Sequence, residues 1–559
     1  MAGNILTPVS IWKDFKVEQN PVSELISESK IGEVIISRIY IQGPKSAKGR
    51  IKIYGVMARK AQTQLTPAVL VLPDLKHGID EDYLISLAKE GYIALAIDFT
   101  GKQLEGYYTV YPEDKEYADY SNAQFVLDRV PHSAKETCWY VWGSMAKTAL
   151  EYLINQPYVL NVGAIGINLA GSILWHVSAN EKRLSCVVFV LNSGWQAYKD
   201  QLKYSTATES DFSDEQLRYV AGIEPQAYAP YVKCPTLMLC ATNNTNYDSD
   251  RAYDTLARIQ NKKYNALNFS VAYANGIDFD SNIDTTIFLD KFLHEKTDES
   301  VLLPKEPELV CGLKDGTLSV KIQLDDKGLE EITLYCAEET LNPALRSWRK
   351  VFHQDKQLSN EVEVSYMPYK DSERVFFVAK AKYKNGFTIS SNVLCKRFLP
   401  SEAGDDRKEN IMYSGRNNGK DLVFTPVYTD GYIETQKGQG VKQQIGPMEI
   451  VGAGSEVAIT SFKMNSKISK PNEDSLLMLD IYSEKDSTLT ITLISDYLKT
   501  PIEYFVTVQV VGGKIWNNVK LSKNKFKTKD GFLLKSYDKV NAIKFACSNK
   551  FVINNVLWV

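Results

Sequence analysis

The sequence predicts an α/β domain on a mostly parallel, doubly wound sheet over its first half, followed by two all-β domains. Three observations carry this prediction. From about residue 34 to 297, strand-like apolar runs alternate with helical patterns, as they do in a βα-repeating chain. Beyond residue 303 the pattern changes to short stretches alternating with period two, the mark of strands with one buried face. Leu399-Pro400-Ser401-Glu402-Ala403-Gly404-Asp405-Asp406 is a run of turn formers between two such β regions. The expected domains are 1–300, 301–400 and 406–559, and a chain of 559 residues is too long for one hydrophobic core.

Taken in order, Val34–Ile41 and Arg50–Ala58 read as strands joined by a Gly43-Pro44 turn. Ala68–Leu72 is continuously apolar, suited to a strand buried on both faces. A helix over Asp80–Lys89 stops at Glu90-Gly91, before a strand at Tyr92–Asp98. Next come a helix at Ala146–Asn155, a strand at Val162–Ile167, a helix at Leu169–Ala179 and a strand at Cys186–Leu191. An insertion, Gly194–Lys233, carries a short helix at Asp214–Tyr219. The region closes with strand Thr236–Ala241, helix Arg251–Asn261, strand Leu267–Tyr273 and helix Thr285–His294. In the next domain Leu318–Ile322, Glu331–Cys336, Glu361–Tyr366 and Val375–Tyr383 read as strands, as in an immunoglobulin- or fibronectin-like sandwich. Arg346-Ser347-Trp348-Arg349 is expected to pack a Trp beneath an Arg. Thr488–Leu493 alternates without a break, and Tyr504–Val511 largely does.

The hydrophobic share of 44% and the charged share of 24% are those of ordinary globular protein. A formal net charge of -3, mixed along the chain without a long basic or acidic tail, argues against a nucleic-acid partner. The start, Met1–Pro8, has no basic and apolar leader, and no run approaches the roughly 18 apolar residues of a membrane span. The expectation is a cytoplasmic protein with no membrane partner. Eight cysteines lie scattered without C-x-x-C pairs, and no acidic cluster has calcium spacing. No metal and no cofactor is expected.

The strand Val162–Ile167 runs into Gly166-Ile167-Asn168-Leu169-Ala170-Gly171 and then a helix. This resembles the G-x-S-x-G nucleophile elbow, with Asn168 at the nucleophile position. Asn tolerates the positive φ such a turn demands, but its amide is no nucleophile. With Tyr228-Ala229-Pro230-Tyr231-Val232-Lys233-Cys234-Pro235 ahead of the next strand, about half the chain resembles the α/β-hydrolases, in their dienelactone hydrolase and acetyl-xylan esterase branch. The resemblance implies an acid in Ala241-Thr242-Asn243-Asn244, where Asn244 stands, and a histidine in Tyr273–Asp278, where Gly276 stands. A Ser-His-Asp mechanism needs a base within reach of its nucleophile, and on this alignment all three roles are vacant.

Other residues could supply chemistry. His77 follows Asp74 in the loop after Ala68–Leu72, and an Asp74–His77 pair is the residual catalytic candidate. His176 lies about 12 Å along its helix from the elbow. His132 sits in a polar loop, His294 at a helix end and His353 in the second domain. Cys138 reads as a packed thiol, and Asp248 and Asp250 as caps for the helix near Arg251. Tyr107, Tyr108 and Trp195 are the candidate ligand-binding aromatics, since such faces stack on sugar rings. Residues from 410 on resemble jelly-roll, carbohydrate-binding-module-like (galactose-binding-like) domains through Gly513–Leu521, Phe526 and the ending Phe551–Val559, with Trp516 and Trp558 as core.

The reading is therefore an α/β-hydrolase fold without its catalytic residues, a pseudo-esterase binding a small molecule or a glycan. Two alternatives stay open: an active carbohydrate esterase or dienelactone-hydrolase-like enzyme with an atypical constellation, and a structural or assembly protein. The oligomeric state is not readable from the sequence.

Overall fold

The computed structural model describes residues 5–61, 64–103, 106–206, 211–260, 264–274, 276–294, 303–325, 328–369, 372–399, 410–415, 442–456, 458–498 and 500–559. Of the expected linker, only Leu399 lies among them. The chain forms two compact units. The first comprises Met1–Cys240, Asn246–Leu267 and Asn282–Leu303, the second Ala241–Thr245, Asn268–Ser281 and Pro304–Val559.

The first unit is organised by a nine-stranded sheet. Its strands are β1 (Ser23–Ile31), β2 (Val34–Ser46), β3 (Gly49–Lys60), β4 (Thr66–Leu72), β5 (Ile93–Ile97), β6 (Val159–Ile167), β7 (Leu184–Val190), β8 (Thr236–Ala241) and β9 (Asn265–Ser270). Their order is β1-β2-β3-β5-β4-β6-β7-β8-β9. β1, β2, β3 and β5 pair antiparallel, and pairing from β5 through β4, β6, β7 and β8 is parallel. The sheet is therefore mixed, antiparallel at one end and parallel through its middle. Every residue of β4, β5 and β8 is buried, as unbroken apolar runs covered on both faces must be. Helices fall between the parallel strands: Glu81–Lys89, capped by Asp80, which accepts a bond from the Tyr83 N–H at 3.1 Å, and Cys138–Ile154, capped by Thr137.

Several expectations are corrected. Gly43-Pro44 does not turn the chain: β2 runs on to Ser46, and its register with β3 shifts between Gln42 and Lys45. The pair sits at a bulge, where a Cβ on Gly43 would lie 2.9 Å from the Ile51 carbonyl oxygen. The helix expected from Ala146 begins at Cys138, and the one near Arg251 shrinks to a turn at Ser249–Arg251 followed by Ala252–Leu256. The closing helix starts early, at Phe279.

The second unit is built of antiparallel sheets. A three-stranded sheet joins Glu308–Lys314, Thr317–Gln323 and Glu361–Tyr366. Another joins Arg349–Gln354, Leu329–Glu338, Arg374–Tyr383 and Thr388–Ser390, with Leu394–Arg397 also on Arg374–Tyr383. Two further sheets, centred on Phe551–Trp558 and Ser487–Ser495, enclose one apolar core that includes Leu479, Ile491, Phe545 and Trp558. A smaller cluster of Leu345, Phe462, Ile494 and Ala542 ties the earlier β segment to the later one. The expected Trp-under-Arg arrangement is looser than supposed. The buried Arg346 guanidinium lies 3.5 Å from the Phe376 ring centre and 6.0 Å from that of Trp348. Trp558 is buried, while Trp516 is half-buried and donates to the Pro447 carbonyl at 3.1 Å.

Candidate functional site

The site grows from the turn between β6 and the helix Leu169–Ser178. Asn168 occupies that turn at φ +49° and ψ −124°. Small residues make the turn tight enough: a Cβ on Gly166 would sit 2.8 Å from the Leu174 Cβ, and one on Gly171 2.5 Å from the Asn192 Cβ. The backbone of Asn168 is held on all sides. Its N–H donates to the Val190 carbonyl at 2.9 Å. Its carbonyl accepts from the Gly171 N–H at 3.0 Å, from Asn192 Nδ2 at 2.8 Å and from the Tyr247 hydroxyl at 3.4 Å. Asn192 is itself fixed, donating to Ser172 Oγ at 3.0 Å and accepting from Trp175 Nε1 at 3.1 Å.

The Asn168 side chain turns to Asp74. Its Nδ2 donates to Asp74 Oδ2 at 2.9 Å. Asp74 follows β4 and is buried, and the Lys76 N–H reaches its other oxygen at 3.4 Å. His77, on the same loop, is exposed, and its Nε2 lies 3.7 Å from Asp74 Oδ2. That separation exceeds a hydrogen bond but lies within ion-pair range. Burial first, and then the Asp74 charge, push the Tyr120 hydroxyl above its ordinary pKa. Tyr247 is likewise pushed up by burial, with the Asp74 charge adding to it. The cluster is thus a buried carboxylate among amides and phenols, with one histidine at its solvent side.

The structure brings Asn168, Asp74 and His77 together. Asn244 and Gly276 belong to the second unit, where Asn244 is buried and donates to the Ala274 carbonyl at 2.8 Å. Tyr107 is exposed and stacks on Tyr54 with ring centres 5.9 Å apart. Tyr108 lends its carbonyl to the Tyr40 hydroxyl at 3.2 Å. Trp195 is buried at φ +64°, donates to Thr255 Oγ1 at 2.8 Å, and carries the Arg251 and Arg258 guanidiniums 5.1 and 5.2 Å from its ring centre. Its ring is therefore occupied within the fold.

Cys138 is buried at a helix start, and burial pushes its thiol up to about 12. His176 is buried against Tyr228, with ring centres 4.0 Å apart; burial holds it down to about 4, so it is neutral. His132 is exposed in its loop, His294 lies 3.6 Å from Asp290, and His353 lies 3.4 Å from Glu331. Asp248 caps the Ser249–Arg251 turn by accepting from the Asp250 N–H at 2.9 Å. Among the described residues, no group of three or more His, Cys, Asp or Glu side chains could hold a metal ion. Sequence reasoning missed Asn192 and Tyr247, the two side chains that hold the Asn168 carbonyl. Neither lies in a motif, so only the fold could find them.

No protein-family model and no curated protein matches the sequence. Among solved structures the chain is similar to acetyl xylan esterase 1 from Thermoanaerobacterium sp., with 15% identity over 52% of this chain and 96% of that one, at a TM-score of 0.36. It is similar to an acetyl xylan esterase from Paenibacillus sp. R4, with 13% identity over 51% and 92%, at a TM-score of 0.38. It is also similar to a glucuronoyl esterase from Solibacter usitatus, with 9% identity over 50% and 90%, at a TM-score of 0.35.

Proposed function

We propose that the first unit is a non-catalytic α/β-hydrolase-fold domain, a pseudo-esterase whose elbow region binds a small polar ligand or a glycan. We read the second unit as an immunoglobulin- or fibronectin-like sandwich followed by a jelly roll that contributes to glycan binding. The observation that supports this best is the bond from Asn168 to Asp74 at 2.9 Å. Acyl transfer needs a nucleophile that a neighbouring base can deprotonate. Here the elbow side chain is a carboxamide, and its donor is committed to a buried carboxylate. What is left is a set of fixed polar groups, suited to recognising hydroxyl and amide functions rather than breaking an ester.

A second reading keeps hydrolysis. His77, exposed and 3.7 Å from Asp74, could take a proton from water with the Asp74 carboxylate beside its ring, without any elbow nucleophile. Titration calorimetry with acetylated xylo-oligosaccharides, followed by an acetate assay of the same cell, separates the two. The proposal expects saturable heat and no acetate above the buffer blank. Acetate that accumulates with time would favour the second reading, and a flat titration would remove this glycan as the ligand.

A further inference from the structure

Lysine is concentrated near the C-terminus. Between Val511 and Lys550 stand ten lysines, no arginine or glutamate, and two aspartates, Asp530 and Asp538, in a chain whose formal net charge is -3. The densest part folds as a hairpin from Phe526 to Leu534. The Leu534 N–H donates to the Phe526 carbonyl at 3.0 Å, and Lys527 bridges both Leu533 and Phe505. The tip closes through the Thr528 N–H on the Phe532 carbonyl and the Gly531 N–H on the Thr528 carbonyl, both 2.9 Å, with Gly531 at φ +89°.

The base of this hairpin is firmly rooted. Phe526, Leu534 and Tyr537 belong to the buried core of the β region. The tip is the opposite: Phe532 is 70% and Leu533 53% exposed. Around them Lys525, Lys527, Lys529 and Lys535 are exposed, and none makes a salt bridge among the described residues. Lys523, by contrast, is paired with Glu473. A rooted hairpin that holds adjacent Phe and Leu side chains in water, ringed by unpaired lysines, is suited to a partner offering both apolar contact and negative charge. A soluble polyanion would engage the lysines and leave Phe532 and Leu533 in water. A bilayer interface takes both, with the apolar pair at the acyl boundary and the ammonium groups at the headgroups.

We propose that the Phe526–Leu534 hairpin is a peripheral membrane-docking element for anionic lipid. This departs from the expectation of no membrane partner, which rested on the absence of a spanning segment. No helix among the described residues is long and apolar enough to cross a membrane. A surface contact needs none.

The test is co-sedimentation of the full chain with vesicles of phosphatidylcholine alone, or with about 30 mole per cent phosphatidylserine. The chain is expected to pellet with the anionic vesicles only and to be released at about 0.5 M salt. Phe532→Ser/Leu533→Ser and Lys527→Glu/Lys529→Glu should each lower partitioning about tenfold. All four substitutions are exposed, and an unchanged melting temperature shows that each variant is folded. Equal pelleting with neutral vesicles, no pelleting at all, or full binding by the Phe532/Leu533 variant would overturn the proposal. So would heparin or polyphosphate binding that needs the lysines while anionic vesicles are ignored.

Discussion

Asn168 carries more strain than its identity suggests. The sequence expectation was a positive φ, which Asn accepts well in the left-handed helical region. The observed ψ of −124° lies outside that region, in a conformation glycine adopts freely and other residues hold at about 1–3 kcal/mol. The bond to the Val190 carbonyl and those from Gly171, Asn192 and Tyr247 keep it there. Asn168→Ala keeps the strain and removes a donor from buried Asp74, so urea unfolding should show a loss of about 1–3 kcal/mol. Asn168→Gly removes the same donor but relieves the backbone, and should be more stable than the alanine variant. The reverse order would mean that the elbow is unstrained.

At the scale of elements, the segment after β7 is held by a buried acid. Glu224 is fully buried, its Oε1 accepts from the Ala197 N–H at 2.7 Å, and its Oε2 has no hydrogen-bond partner among the described residues. Burial pushes its carboxyl from the ordinary 4.5 up to about 7. The folded state therefore binds this proton more tightly than the unfolded chain. The stability it confers is complete below about pH 4.5 and is lost as pH rises through about 7, a swing on the order of 3 kcal/mol. The melting temperature should fall between pH 5 and 8, and Glu224→Gln should flatten that fall; an equal slope in both proteins would contradict the account. Gly171→Ala, whose Cβ would lie 2.5 Å from that of Asn192, should cost about 1–3 kcal/mol by overpacking. Elements were legible where burial is simple. Thr236–Ala241 and Glu361–Tyr366 fall where the apolar pattern places them. β1 was not legible, because Ser23–Ile31 has no buried residue and so shows no alternation. The first turns of Cys138–Ile154 were hidden by Trp139, Tyr140 and Trp142, which are weaker helix formers, and the burial of Trp139 and Trp142 sustains the helix.

For the whole molecule, the sequence shows where the α/β pattern stops, but not which β segments share a core. Leu345 and Phe462 are far apart in the chain, yet they pack in one cluster with Ile494 and Ala542. Asn465 reinforces that contact, donating to Thr340 Oγ1 at 3.4 Å. Calorimetry should accordingly show two transitions, and Phe462→Ala should lower only one of them, at a cost of about 3–5 kcal/mol. Three independent transitions would mean that the β segments fold separately. The site was half legible for the same reason. The elbow motif marks Asn168, and Asp74 and His77 lie three residues apart. The bond between Asn168 and Asp74 spans 94 positions, and no local pattern encodes it.

The measurement that bears most directly on a non-catalytic elbow is p-nitrophenyl acetate hydrolysis by the native chain, Asn168→Ala and His77→Ala. The account predicts the buffer rate for all three. Turnover by the native chain that disappears in either variant would contradict it, and would assign the lost residue a part in catalysis.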